Sequence, residues 1–448
     1  MKAGFFETDI TPRVGVQLCG FGPYLNRYSI GVRDVLKARA AAFEHNGTTV
    51  ILVSCDLVAV THQIAQTIKE QVTRQTGVPA ANIMVHCTHT HSGPNTSSLN
   101  GWGEEDTPYA LLLPGRIAKT CTEAFKQLQD VEMLHAVVPC EGIGLNREYD
   151  RDAPPLAEVL RPDWRPAKPE LTDTQCHVLK FMTKADQRMS GFMAYFGCHP
   201  VVCCQETRYI HGDYCGIAMN NLERENPGSV GLFLQGAQGD VNSCVVHKPE
   251  QEALQALDII AARFSNSVRH GLQTAIPLTV DILKCADTIQ EFSSKDIPLD
   301  QIKNTLKEQE AIAYAEGASD ADYAVRMSVV TILALRSLIS RIEKGENLKM
   351  QAGEIQGIRL GPVEFLGAPF EIMQAIKNEV VAAAKAPIPL VMGITNGLMG
   401  YAPDKTVAAR GGYAADTVPM IVGRMPFRDI HSELVQAFLK VDNMLNKV

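Results

Sequence analysis

The stretch Ile83–Met84–Val85–His86–Cys87–Thr88–His89–Thr90–His91–Ser92–Gly93–Pro94 decides how this chain is read. Its apolar entrance reads as a strand, and Gly93–Pro94 closes it with turn chemistry. Side chains of an extended segment alternate between faces, so His89 and His91 are expected to point the same way. Two imidazoles on one face, at a strand end opening into a loop, suit a divalent metal with room left for substrate. A lone histidine there would more simply hydrogen-bond within a polar loop. The His-x-His pattern favours metal binding or catalysis.

Upstream, Thr49–Val50–Ile51–Leu52–Val53–Ser54–Cys55–Asp56 reads as a short buried strand. His62 to Gln75 carries Ile64, Ile68 and Val72 at helical spacing, and Gly77–Val78–Pro79 stops it. Strand, helix and strand in that order predict a crossover unit in a parallel or mixed sheet. Asp56 at the strand's end either bears function, as in open α/β sheets, or caps the helix near Thr61.

Working outward, a Gly-rich loop runs from Gly15 to Gly22, and a helix from about Tyr109 to Leu128 is kinked or delayed at Pro114–Gly115. The polar loop 96–108 is expected to form a pocket wall, and the Pro-rich loop 150–170 a cover. Strands at 176–181 and 191–196 form a hairpin whose second arm delivers His199, repeating the placement of His89. Val230 to Leu234 is a strand ending in the Gly-rich tip Gln235–Asn242, and 250–270 is a helix. Residues 296–345 read as a helical hairpin carrying structure, not chemistry. Strands return near 354–360, 363–367 and 390–394. The fold class is therefore α/β with a mixed sheet, and residues 1–448 are read as one domain.

A chain of 448 residues, 46% hydrophobic and 21% charged, has the composition of a soluble globular protein with a large core. Its net charge of −8 argues against a nucleic-acid groove or an anionic membrane surface as partner. No apolar leader opens the chain, and the apolar stretch Val325–Ile342 carries three arginines, too interrupted to span a bilayer. Twelve cysteines without CxxC spacing are expected to be reduced thiols in a cytoplasmic protein. The expected partner is a small-molecule substrate, with homo-oligomerisation left open.

Taken in order, several strand-end motifs form one pattern. They are Asp9–Ile10–Thr11–Pro12, Thr88–His89–Thr90–His91–Ser92–Gly93–Pro94, Asn146–Arg147, Cys198–His199 and Gly239–Asp240–Val241. Gly367–Ala368–Pro369–Phe370–Glu371 and Gly400–Tyr401–Ala402–Pro403 complete it. The pattern resembles the catalytic domain of the neutral (alkaline, non-lysosomal) ceramidase family. The resemblance implies a ceramidase-type domain holding one zinc ion through two histidines, a glutamate and a tyrosine: His89, His199, Glu371 and Tyr401. It implies hydrolysis of an acyl bond by metal-activated water. His91 is then expected behind the ligands or facing substrate as acid and base. Arg147 is expected to hold a carbonyl or carboxylate, and Asp240 to orient a ligand or the attacking water. From the residues alone, Glu371 equally suits the first turn of the following helix, Tyr401 a core position and Asp213 a helix cap.

The chain departs from the family pattern at two positions. The serine that follows Gly-Asp-Val in ceramidases is Asn242 here, and Ser243 would face the other way. An amide is no nucleophile, so Asn242 is expected to donate a hydrogen bond to substrate or oxyanion. Phe370 replaces the glycine of Pro-Gly-Glu and is expected to crowd the ligand. The chain ends at Val448, with no room for the immunoglobulin-like domain of long ceramidases, which favours a small soluble amide, ester or lactone as substrate. The alternatives are a true ceramidase acting on N-acylsphingosine and a metal-bearing homologue without catalysis. A second metal held by His91 with Asp56 or Asp213 is a further possibility.

Overall fold

The strand Thr48–Cys55 lies parallel to Ile83–Cys87, with the helix His62–Thr76 crossing between them. Each part of that unit follows from its residues. Val50 to Cys55 are all buried, as a continuous apolar run in a doubly covered strand must be. The helix starts where Thr61 Oγ1 accepts from Ile64 N at 3.1 Å, and it ends at Gly77 in the left-handed conformation. Ala65, Ile68 and Val72 form its buried face. The computed structural model describes residues 1–97, 99–150 and 154–447. Ser98 of the 96–108 loop and Arg151–Ala153 of the 150–170 loop lie outside them.

The crossover unit is one end of a mixed sheet. The strands run in the order 230–235, 189–196, 175–183, 129–139, 2–9, 37–45, 48–55 and 83–87. Only the two outermost pairs on this path are parallel; the rest are antiparallel. The two edge strands nevertheless meet, because Gln235 N donates to His86 Nε2 at 2.8 Å and Gln235 Nε2 donates to the Thr88 carbonyl at 3.0 Å. This closure places the loops after Cys87, Phe196 and Gln235 side by side. A second sheet, with strands 283–293, 350–360, 363–367 and 388–392, packs Ile358, Phe365 and Leu390 against Phe43 and Phe181 of the first. The helix Glu250–Thr274 covers the other face of the first sheet through Phe264, which contacts Phe196 and Phe233.

Asp56 takes neither of the roles expected from sequence. Its carboxylate accepts from Arg39 Nη1 at 2.8 Å and from Lys37 N at 3.0 Å. Arg39 is itself buried and also donates to Glu223 at 2.8 Å and Asn220 at 2.6 Å. The network ties the sheet to the helix Asp213–Glu225, and the helix after Asp56 is capped by Thr61 instead. The delayed helix start suggested by Pro114–Gly115 is likewise absent. A helix runs unbroken from Thr107 to Lys126, capped by Asp106, with Pro114 on its buried side.

The 296–345 segment forms two helices, Leu299–Ala313 and Tyr323–Glu343. The second is long and apolar enough to cross a membrane, and here it buries Leu335 and Leu338 beside Ile302. Its first residue, Tyr323, lines the main cavity, so the hairpin contributes to the site as well as to the scaffold.

Candidate metal centre and active site

His89 follows the strand Ile83–Cys87 with φ of +73°, a left-handed backbone uncommon for a non-glycine residue. The extended geometry expected from sequence therefore stops at residue 87. The turn still brings the two rings together, with His91 Nε2 at 3.4 Å from His89 Nε2. The loop after Met189–Phe196 supplies His199, and the segment Glu371–Ile372 supplies Glu371. Glu371 Oε2 lies 2.9 Å from His199 Nε2 and 3.4 Å from His89 Nε2. One nitrogen each of His89, His91 and His199 lies within 4.8 Å of the other two.

The backbone fixes which nitrogen each histidine presents. His89 Nδ1 donates to the Val58 carbonyl at 2.6 Å, and His199 Nδ1 to the Gln238 carbonyl at 2.5 Å. Both Nε2 lone pairs therefore face Glu371, the arrangement that metal-ligating histidines need. Burial, with Arg147 and His89 nearby, outweighs Glu371 and lowers His199 to about 4. Burial also lowers His91 well below its ordinary range, helped by His89 and His199. Burial alone would raise the Glu371 carboxyl, but His89 and His199 hold it well below the usual carboxylate range. The buried His89, His199 and Glu371, with the partly buried His91 beside them, form a donor set that fits a divalent cation.

Tyr401 pairs with Glu371 in a parallel bridge, which brings the tyrosine to the same wall of the cavity. The Arg147 guanidinium lies 5.0 Å from the Tyr401 ring centroid, and its Nη2 donates to the Gly239 carbonyl at 2.6 Å. Asn242 lines the same cavity, whereas Ser243 is buried with its Oγ accepting from Val245 N at 3.3 Å. Gly239 packs against this region so closely that a Cβ would fall 2.5 Å from the Glu371 carbonyl oxygen.

Three expectations need correction. Asp240 does not line the cavity: its Oδ2 accepts from Asn146 Nδ2 and its Oδ1 from Gln374 N, both at 2.9 Å. It clamps the segment bearing Arg147 to the one bearing Glu371. Phe370 does not crowd the ligand. Its ring is fully buried on the opposite side of the chain, 5.2 Å from Phe292 and 5.7 Å from Phe427. Of the carboxylates suggested for a second metal beside His91, Asp56 is engaged by Arg39, while Asp213 accepts from the N–H groups of Val202, Cys203 and Tyr214 and gathers with Cys203 and His211 instead of with His91.

Other contributors carry little or no signal in the sequence. The Val58 and Gln238 carbonyls orient the histidines, and backbone acceptors are invisible to residue type. His86 holds the two edge strands together; burial lowers it to about 3, so it stays neutral. Gly20 sits where a Cβ would lie 2.6 Å from the His91 ring, and Phe21 meets that ring edge-on at 5.2 Å. The Gly-rich loop 15–22 held that clue without revealing its target.

The centre opens into a cavity of about 810 Å³ whose wall is mostly apolar, with Trp102, Val418, Ile421 and Tyr413 among its lining. Ser97, Leu99 and Trp102 show that the 96–108 loop forms part of that wall.

No curated protein matches the chain. Among solved structures, the neutral ceramidase from Pseudomonas aeruginosa aligns with a TM-score of 0.72 at 17% identity, over 100% of this chain and 75% of that one. A ceramidase complexed with C2 aligns with a TM-score of 0.73 at 17% identity, over 98% and 74%. These likenesses show a shared mixed α/β fold. The family description "Neutral/alkaline non-lysosomal ceramidase, N-terminal" matches residues 2–251, more than half of the 448 residues. The chain belongs to the neutral/alkaline non-lysosomal ceramidase family.

Proposed function

We propose that this protein is a zinc-dependent hydrolase that cleaves an acyl C–N or C–O bond of a small soluble amide, ester or lactone. The observation that carries the reading is the convergence of His89, His199 and the Glu371 carboxylate, with contacts of 2.9 and 3.4 Å. Family membership supports hydrolysis, and the nitrogen and oxygen donors suit zinc. His89, His199, Glu371 and Tyr401 are the residues that would hold the ion. When bound, zinc supplies Lewis acidity and lowers the pKa of a water toward about 7.

The chain's own groups do the rest. His91, kept neutral, accepts a proton from the attacking water and returns it to the leaving nitrogen or oxygen as its bond to the acyl carbon breaks. Arg147 binds the substrate's carbonyl or carboxylate with its planar fork. Asn242 donates its amide N–H to the oxygen that becomes negative. Asp240 acts at one remove, positioning Asn146 and hence Arg147. The apolar wall of the 810 Å³ cavity favours a second reading, hydrolysis of N-acylsphingosine.

The test is hydrolysis of a series of N-acyl substrates by the zinc-loaded protein. Higher kcat/KM on short-chain soluble members supports the first reading, and higher kcat/KM on long-chain N-acylsphingosine supports the second. His91→Ala is expected to keep its metal and lose about 10²- to 10⁴-fold in kcat. Absence of turnover on every member, with zinc bound, would overturn both and leave a non-catalytic metal protein.

A further inference from the structure

The charged groups that line the cavity have partners, with one exception. Glu371 faces His89 and His199, and Arg147 donates to Gly239 and lies over Tyr401. Glu354 accepts from Lys69 at 2.6 Å and from Gln66 at 3.3 Å. Arg424 lines the same cavity, and among the described residues its guanidinium has neither an ion pair nor a hydrogen bond. Val418, Ile421, Val422 and Tyr323, which line the same cavity, carry no carboxylate.

The backbone under Arg424 is nonetheless fixed. Arg341 Nη1 donates to the Gly423 carbonyl at 2.8 Å, and Arg424 N donates to the Pro419 carbonyl at 2.8 Å. Arg341 is itself held by Glu346 at 2.6 Å. Burial lowers the Arg424 pKa, and the positive charge of Arg341 adds to the effect. The two acids of the cavity, Glu354 and Glu371, are taken by other partners, which leaves the half-buried Arg424 cation for something outside the chain to complete. Arginine's planar fork is matched to an oxyanion.

We propose that Arg424 is a specificity-determining residue: the substrate is an acyl compound carrying an anionic group, a carboxylate or a phosphate, that pairs with Arg424 while its acyl carbon lies at the histidine–glutamate centre. The inference rests on the hydrolase reading above and narrows it. It explains how an apolar cavity serves a soluble substrate, since the acyl part fills the wall and the anion meets the guanidinium.

Three matched substrates test it: N-octanoylglycine, N-octanoylethanolamine phosphate and neutral N-octanoylethanolamine. The zinc-loaded parent should hydrolyse at least one anionic member about 10- to 100-fold faster in kcat/KM than the neutral one, the range of a charge-assisted pair. Which anionic member wins identifies the carboxylate or the phosphate. Arg424→Gln should bring the anionic-to-neutral ratio to near one, and Arg424→Lys should restore part of it. A parent ratio near one, or a ratio unchanged by Arg424→Gln, overturns the proposal. Calorimetric binding of the same three compounds separates this proposal from the hydrolase reading. If nothing turns over but anionic binding is strong in the parent and lost in Arg424→Gln, the hydrolase reading fails and the anion site stands. If binding shows no preference for anions, the anion site falls.

Discussion

Asp240→Asn separates a clamp from a catalytic acid or base. The carboxylate accepts two buried hydrogen bonds, from Asn146 Nδ2 and Gln374 N, and burial raises its pKa from 3.8 to about 6 despite them. A folded-state pKa above the unfolded one means that the group's contribution to stability is complete below 3.8 and is lost as pH rises through about 6. The gap between those values, at about 1.36 kcal/mol for each pH unit, amounts to roughly 3 kcal/mol. Asparagine cannot ionise, but it accepts through one oxygen only and leaves one buried donor short of a partner, at a cost of about 1–3 kcal/mol. The variant should therefore be the less stable protein near pH 4 and equal or exceed the parent near pH 7. Urea unfolding of the metal-free proteins across that range measures the crossing. Activity should fall about tenfold at most, through a displaced Arg147. A kcat loss of more than about 10²-fold, with the two stability profiles parallel, would show that Asp240 transfers a proton and refute the clamp.

Two further substitutions probe the scaffold around the centre. Arg39→Met leaves the buried Asp56 carboxylate without an ion pair and Glu223 with Lys37 alone, and chemical denaturation should register a loss of about 3–5 kcal/mol. Phe370→Ala empties a site between Phe292 and Phe427 and should cost about 3–5 kcal/mol in the same assay. Because that ring points away from the centre, zinc stoichiometry should stay at the parent value; a loss of metal would mean that Phe370 shapes the ligand after all.

Much of the fold was legible because its signals are local. The apolar run 50–55, the Ile64–Ile68–Val72 spacing and Gly77 state the strand–helix–strand unit directly. The long helices and the 175–196 hairpin were equally plain. Side-chain partners far apart in the chain were not legible. Nothing near Asp56 announces that Arg39 and Glu223 will claim the region, and nothing near Asp240 announces the Gln374 amide. His89 and His91 come together as the sequence suggested, but not for the reason it suggested. Their rings meet because residue 89 turns left-handed, a choice made by the packed loops and not by alternation along a strand. Arg424 went unnoticed because a lone arginine in a Gly-Arg-Met-Pro turn looks like ordinary surface until the cavity behind it is seen.

The claim on which the rest depends is that residues 89, 199, 371 and 401 bind one cation together. Elemental analysis of the untagged protein, repeated on His89→Ala and Glu371→Ala, tests it most directly. The account predicts about one zinc per chain in the parent and a steep loss in both variants, since a missing ligand weakens binding sharply. A parent that stays metal-free after zinc loading, or variants that retain a full complement, would contradict it.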